Sequence, residues 1–212
     1  MGTGPRYIVS HRRKRSGKTD YRSRMKLLMS GKPRLVVRIT SNRVITQVIN
    51  YTEKGDVVAT ACNSNDLRDF GWKAATSNTP SAYLTGLLCG RKAVGMGIKS
   101  CIFDVGRVKP LAGTKIFAVL KGALDGGLEI PHSEESLPSE DRLAGSHITN
   151  YAGSLKADKK KPIFSEYKKR GLDPKEVPKH FEAVKNDILK KGKEIKTEKP
   201  KKKASKGKKP SS

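Results

Sequence analysis

The chain has 212 residues, of which 45 are Lys or Arg and 20 are Asp or Glu, for a formal net charge of +25. Such an excess repels itself when compact unless a polyanion neutralises it, so nucleic acid is the leading class of partner and an anionic membrane surface the second. No apolar run approaches the ~20 residues that cross a bilayer and no signal-peptide core follows the N-terminus, so a soluble intracellular protein is the expectation.

Charge divides the chain. The net value is +9 over residues 1–32, +6 over 33–132, −3 over 133–158 and +13 over 159–212. A nearly balanced middle between cationic ends predicts four regions: a basic RNA-binding arm (1–32), a globular body (33–132), a helical extension (133–192) and a Lys-rich tail (193–212). The arm holds HRRKRSGKTDYRSR, with Tyr7, His11 and Tyr21 interleaving the cations. Its few apolar anchors cannot offset ordering entropy, so the first ~20 residues are expected to be mobile until bound. Aromatic and guanidinium planes stack on unpaired bases while the charges neutralise phosphates. A nuclear-localisation tract or a solubilising tail are the alternatives. Ser16-Gly17-Lys18-Thr19 looks like the end of a phosphate-binding loop, but that motif needs Gly where Arg12 stands, and it is rejected. Tyr21 to Met29 predicts a short helix stopped by Gly31 and Pro33.

Arg34 to Asn63 reads as a three-strand meander. Leu35, Val37 and Ile39 alternate with Arg34, Arg38 and Thr40, and only Val36 breaks a period of two, which signals one face in a core and the other in solvent or on a partner. Ser41-Asn42-Arg43 is a turn of hairpin size. Val44–Tyr51 is β-branched with apolar residues on both parities, and Val57–Cys62 forms the third strand after a turn at Glu53–Asp56. The polar face then carries Arg34, Arg38 and Thr40, with Asn42 and Arg43 at the turn; a solvated face and a polyanion-binding face are equally good readings of these residues.

Trp72, in the polar loop Asn63–Asn78, is expected to pack rather than bind ligand. Thr79-Pro80 caps and starts a helix with the apolar stripe Tyr83, Leu84, Leu87, Leu88 and Val94; Gly86 and Gly90 share one side and allow close approach to a sheet. Lys99–Val105 predicts a buried fourth strand placed by a crossover. A second helix runs from about Thr114, with Phe117, Leu120 and Leu124 inward, to Gly126-Gly127. The result is an α/β (α+β) fold with a mixed sheet in β-β-β-α-β-α order and helices on one face. Residues 128–158 are polar and acidic with a short helix around Pro138–Leu143. Ile163–Arg170 is a weak helix closed by Gly171, and Asp173-Pro174 with Glu176 starts a terminal helix whose narrow stripe, Phe181, Val184 and Ile188, docks on another surface. From Lys193 the chain is read as disordered until RNA is present.

Catalytic constellations are missing from the sequence. A ribonuclease-H-like nuclease needs clustered carboxylates for metal ions, one of them on the first strand; the first strand here has none, and Asp104 stands alone at the end of the fourth. The histidines are scattered, and Cys62, Cys89 and Cys101 fit neither a disulfide framework nor a zinc knuckle, so buried free thiols are expected. No enzyme, cofactor or metal is predicted.

The strings RLVVRITSNRVITQVI, NDLRDFGWKAATSNTPSAYLTGLL and IFDVGRVKPLAGTKIFAVLKGALDGGLEIPHSEESLPSEDRLAGSHI closely resemble large-subunit ribosomal protein family eighteen, archaeal type, related to eukaryotic large-subunit protein five. FSEYKKRGLDPKEVPKHFEAVKNDIL looks like the extension of the archaeal form, and the resemblance covers roughly residues 5–190. It implies the ribonuclease-H-like motif of translational-machinery components and a protein without catalytic activity. It further implies cytoplasmic ribosomes as the location, and a clamp on 5S rRNA in the central protuberance, with 23S rRNA and neighbouring large-subunit proteins as further partners. Carried onto this sequence, the arm contacts are Arg6, Tyr7, His11, Arg12, Arg13, Lys14, Arg15, Lys18, Tyr21, Arg22 and Arg24. Those on the sheet and its turn are Arg34, Arg38, Thr40, Ser41, Asn42, Arg43 and Gln47. The competing class is a general nucleic-acid-coating protein that relies on its two basic ends.

Overall fold

The computed structural model describes residue 4, residues 8–155 and residues 163–191. The meander forms as its alternation predicts. Strands β1 (Arg34–Ile39), β2 (Val44–Thr52) and β3 (Gly55–Asn63) pair antiparallel, and β4 (Ile102–Asp104) joins parallel to β1, giving the order β3-β2-β1-β4. Register fixes the faces that sequence left open on β2. Leu35 lies opposite Val48 and Val37 opposite Thr46, so Val44, Thr46 and Val48 turn inward while Ile45, Gln47 and Ile49 share the side of Arg34, Val36 and Arg38. A bulge between Val48 and Ile49 shifts the register against β3.

Two helices cover the inner face: α3 (Thr79–Gly95) and α4 (Lys115–Asp125). The cap of α3 is Asn78, one residue before the expected Thr79; its side chain accepts from the Ser81 amide at 2.9 Å. Tyr83, Leu84, Leu87 and Leu88 are fully buried, but Val94 is 39% exposed and Cys89 and Ala93 complete the stripe instead. Gly86 and Gly90 face α4 rather than the sheet. A Cβ on Gly86 would strike the Val119 carbonyl, one on Gly90 would come within 2.8 Å of the Ala123 carbonyl, and Gly122 of α4 answers against the Tyr83 carbonyl. Four glycines, Gly126 included, thus bring the two helices into backbone contact. Three free thiols are buried between sheet and helices, Cys62 on β3, Cys89 on α3 and Cys101 just ahead of β4. The Trp72 ring is buried in the same core and donates to the Ala75 carbonyl at 3.1 Å.

The extension adds α5 (Glu140–Ala144), α6 (Ser146–Ser154), α7 (Ser165–Lys169) and α8 (Val177–Lys191). The polar composition of 128–158 concealed α6. Asp173 starts the last segment by accepting from the Lys175 amide at 3.0 Å. Val177, Phe181, Val184 and Ile188 of α8 are buried in the common core, with Phe181 tilted on Tyr83 at 5.4 Å between centroids. His180 stacks on Trp72 at 5.2 Å and its Nε2 accepts from the Lys73 amide at 3.1 Å. The Lys-rich segment read as disordered lies outside the described residues, and among those described no helix is long and apolar enough to cross a membrane.

Two outcomes follow from this packing. Gly86→Ala should cost about 1–3 kcal/mol or more in urea unfolding, because the backbone it meets cannot give way, whereas Gly95→Ala, with nothing near its Cβ, should be neutral or slightly stabilising. His180 is held below its ordinary value, first by burial and then by Lys73. As pH falls below the unfolded value near 6.5, the unfolded chain therefore takes up this proton first, and stability that is intact above that pH is lost progressively. The thermal midpoint should drop between pH 7.5 and 5.5, and drop less in His180→Gln.

Candidate nucleic-acid interface

The outer face of the sheet is only partly open. The arm folds back across it as α1 (Arg12–Arg15) and α2 (Tyr21–Leu28), where mobility had been expected of the first ~20 residues. Asp20 caps α2, accepting from the Arg22 amide at 3.1 Å and the Ser23 hydroxyl at 2.6 Å, and the Ser23 hydroxyl holds its carboxyl below the usual range. Arg13 Nε donates to Thr19 Oγ1 at 2.9 Å and closes the link between the helices. The expected helix from Tyr21 to Met29 is therefore present, and a polar cap rather than an apolar anchor starts it.

Between arm and sheet lies a groove of about 550 Å³. Arg13, Lys18, Arg24 and Lys26 line it from the arm, Arg38 and Gln47 from the strands, and Arg107 from the loop after β4. Carboxylates sit in it as well, but they are occupied. Arg34 is 2% exposed; its Nη1 donates to Asp104 at 2.8 Å and its Nη2 to Asp56 at 2.9 Å. Asp56 also accepts from Arg24 at 2.9 Å, which ties α2 to the start of β3. Arg38 reaches the Val37 carbonyl at 2.7 Å and stands 3.9 Å from Asp104, with about half of its side chain exposed.

This corrects the reading of Arg34 as a surface cation: alternation places it on the outer face, and two carboxylates bury it there. Arg34 is a scaffold residue, unavailable to a phosphate, and Val36, which broke the period, is 5% exposed in the same covered strip. Arg12, Arg13, Lys14, Arg15, Lys18 and Arg22 are exposed, and the His11 and Tyr21 rings lie 5.5 Å apart. Arg6 and Tyr7 fall outside the described residues. Thr40, Ser41, Asn42 and Arg43 do not join this groove. They form the β1–β2 turn at the far end of the sheet, where Thr40 Oγ1 accepts from the Arg43 amide at 3.0 Å. Sequence reasoning missed Arg107 and Lys109, which line a neighbouring cleft with Lys14, Tyr21 and Arg22. The signal was a cationic loop, Gly106-Arg107-Val108-Lys109-Pro110, bracketed by turn residues.

In this groove Asp56 and Asp104 are taken by ion pairs and Asp20 by its helix cap, which leaves guanidinium and amide groups free to meet phosphates. Among the described residues no group of three His, Cys, Asp or Glu side chains could hold a metal ion. Fold and groove together define a basic α/β protein with cations gathered from the arm, the strands and the loop after β4. A family model described as "Ribosomal large subunit proteins 60S L5, and 50S L18" matches residues 5–99 and 95–133. Large ribosomal subunit protein uL18 of the archaeon Methanothermobacter thermautotrophicus is 48% identical over 188 residues, which span 89% of this chain and 98% of the relative. The chain belongs to this family of large-subunit ribosomal proteins: it is a structural constituent of the large subunit, located in cytoplasmic ribosomes in association with rRNA and other ribosomal proteins.

Removing one partner of the buried pair should be costly. Asp104→Ala leaves the buried Arg34 guanidinium with Asp56 as its one remaining carboxylate and should lower unfolding free energy by up to about 3–5 kcal/mol. Arg24→Ala, which breaks only the half-exposed bond to Asp56, should cost less than about 1 kcal/mol. Chemical denaturation of the two variants side by side measures the contrast.

Proposed function

We propose that this chain binds 5S rRNA and helps attach it to 23S rRNA in the central protuberance of the large subunit, without catalysing a reaction. The observation that carries the reading is the arm groove, where cations from three separate segments surround a cavity floored by Gln47. Arg13, Lys18, Arg38 and Arg107 would neutralise phosphates, while the exposed arginines of α1 track the backbone on either side. Gln47 in the groove and Asn42 at the turn carry amides suited to an unpaired base edge or a ribose 2′-hydroxyl. Tyr21 and His11, side by side and accessible at the mouth of the arm, offer ring faces for stacking. The division of labour proposed is a basic arm (1–32), a body (33–132) that presents the groove, an extension (133–192) that reaches 23S rRNA and neighbouring proteins, and a Lys-rich tail (193–212).

The resemblance of the chain to its family supports 5S rRNA as the ligand, and the groove supports a polyanion through the cations that line it. The test is native purification from cells: the chain should co-sediment with large subunits and release 5S rRNA on dissociation. In vitro, affinity for 5S rRNA should fall with salt at about 0.7–0.9 log units per log unit for each neutralised phosphate. Duplex DNA should compete poorly, and removal of residues 1–20 should weaken binding. Equal competition by any polyanion of matched length would overturn the proposal in favour of non-specific coating.

A further inference from the structure

A second basic cleft, of about 420 Å³, opens at the far end of the sheet and combines parts of the chain that the sequence keeps more than a hundred residues apart. Ser41, Asn42 and Arg43 of the β1–β2 turn form one wall; Asn65 and Arg68, from the short 3-10 turn that follows β3, form the second; Tyr167 and Arg170, in and just after α7, form the third. The walls are fastened to each other. Thr76 Oγ1 donates to the Asn42 carbonyl at 2.7 Å, Ser77 Oγ to the Thr40 carbonyl at 3.2 Å, and Arg170 Nη1 to the Ala74 carbonyl at 3.1 Å.

Three arginines face a single carboxylate here, and that carboxylate is taken. Glu166 accepts from Lys169 at 3.0 Å, which holds its pKa below the ordinary range, and its other oxygen stands 3.5 Å from Arg170 Nη2. Among the described residues the guanidinium groups of Arg43 and Arg68 have no hydrogen-bond or ion-pair partner, and both residues are exposed. The remaining lining is amide and hydroxyl, with Ala75 and the Tyr167 ring as the apolar parts.

We propose that this cleft is a second RNA contact, in which Arg43 and Arg68 hold a phosphodiester of the RNA that lies in the arm groove and Arg170, fixed by Ala74 and Glu166, forms the wall beside it, so that α7 of the extension lines the RNA-binding surface. This inference rests on the RNA-binding reading given above and extends it from the turn residues Asn42 and Arg43 to Asn65, Arg68, Tyr167 and Arg170. Guanidinium forks match phosphate oxygens bidentately, and Asn42 and Asn65 stand where a ribose hydroxyl would follow. An acidic peptide is the less suitable occupant, since the cleft has little apolar surface on which to bury its side chains. Arg38, which lines the arm groove, stands three positions before Ser41 of the second cleft, a spacing of about 10 Å along the strand that one folded RNA covers.

The full chain and 5S rRNA in a filter-binding assay over a series of salt concentrations provide the test. Arg68→Gln and Arg43→Gln should each lower affinity several-fold near physiological salt. Together they should make the salt dependence shallower by about one phosphate's worth or more, with an unchanged melting temperature, because neither side chain holds the fold together. Arg68→Lys should keep the slope while losing part of the affinity, since the charge remains and the fork does not. If the unsubstituted chain binds and the Gln variants keep both its slope and its affinity, the second contact is overturned and the cleft is left to an acidic segment of a neighbouring protein. If the unsubstituted chain fails to retain the RNA at all, the reading of the preceding subsection falls and takes this one with it.

Discussion

The buried guanidinium of Arg34 is the constraint on which the outer side of this protein depends. One of its nitrogens reaches Asp104 on β4 and another reaches Asp56 at the start of β3, so a single side chain spans from one sheet edge to the other across β1 and β2. A charge this buried is expensive to desolvate, and its Nε has no partner among the described residues. What the arrangement provides is position. Asp56, held from below by Arg34, offers its second oxygen to Arg24, and through that bond the arm helix is placed over the strands with a groove beneath it.

How much of this could be read from residues alone depends on which physical signal each feature leaves. Alternation in β1 correctly divides Leu35 and Val37 from Arg34 and Arg38, because period two reports the pleat directly. It does not report what lies over either face, and so Arg34 and Arg38, two turns of the same pattern, have opposite fates: one is sealed by carboxylates distant in sequence and the other keeps about half its side chain in solvent. The same limit applies to β2, whose mixed parities became assignable only when the register with β1 was known. The glycines of α3 announced a close approach, but it was read as one to the sheet; the partner is α4, whose own glycines complete the contact.

The terminal helix shows the reverse case. Its stripe of Phe181, Val184 and Ile188 is legible in the sequence because helical spacing is local, and all three are buried. Its seat is not legible, because the residues that receive it, Tyr83 and Trp72, lie about a hundred positions earlier. Through that seat the extension is fixed to the body, and α7, just before it, is carried to the β1–β2 turn. A segment that composition describes only as basic and weakly helical thereby acquires a defined place beside Asn42 and Arg43.

In a chain with a net charge of +25, counting cations does not locate a binding surface; the positions of the few acids do. Asp56 and Asp104 absorb Arg34 and Arg24, Asp125 takes the Tyr83 hydroxyl and Lys121, and Glu166 takes Lys169. These pairings are spent on the sheet, the helix layer and the extension. Cations without such partners are left along α1, beside the arm groove and at the far turn, each on a different element. Acids used as structural fasteners thus decide which arginines stay available, and for a protein that meets a polyanion this subtraction shapes the interface as much as the positive charge itself.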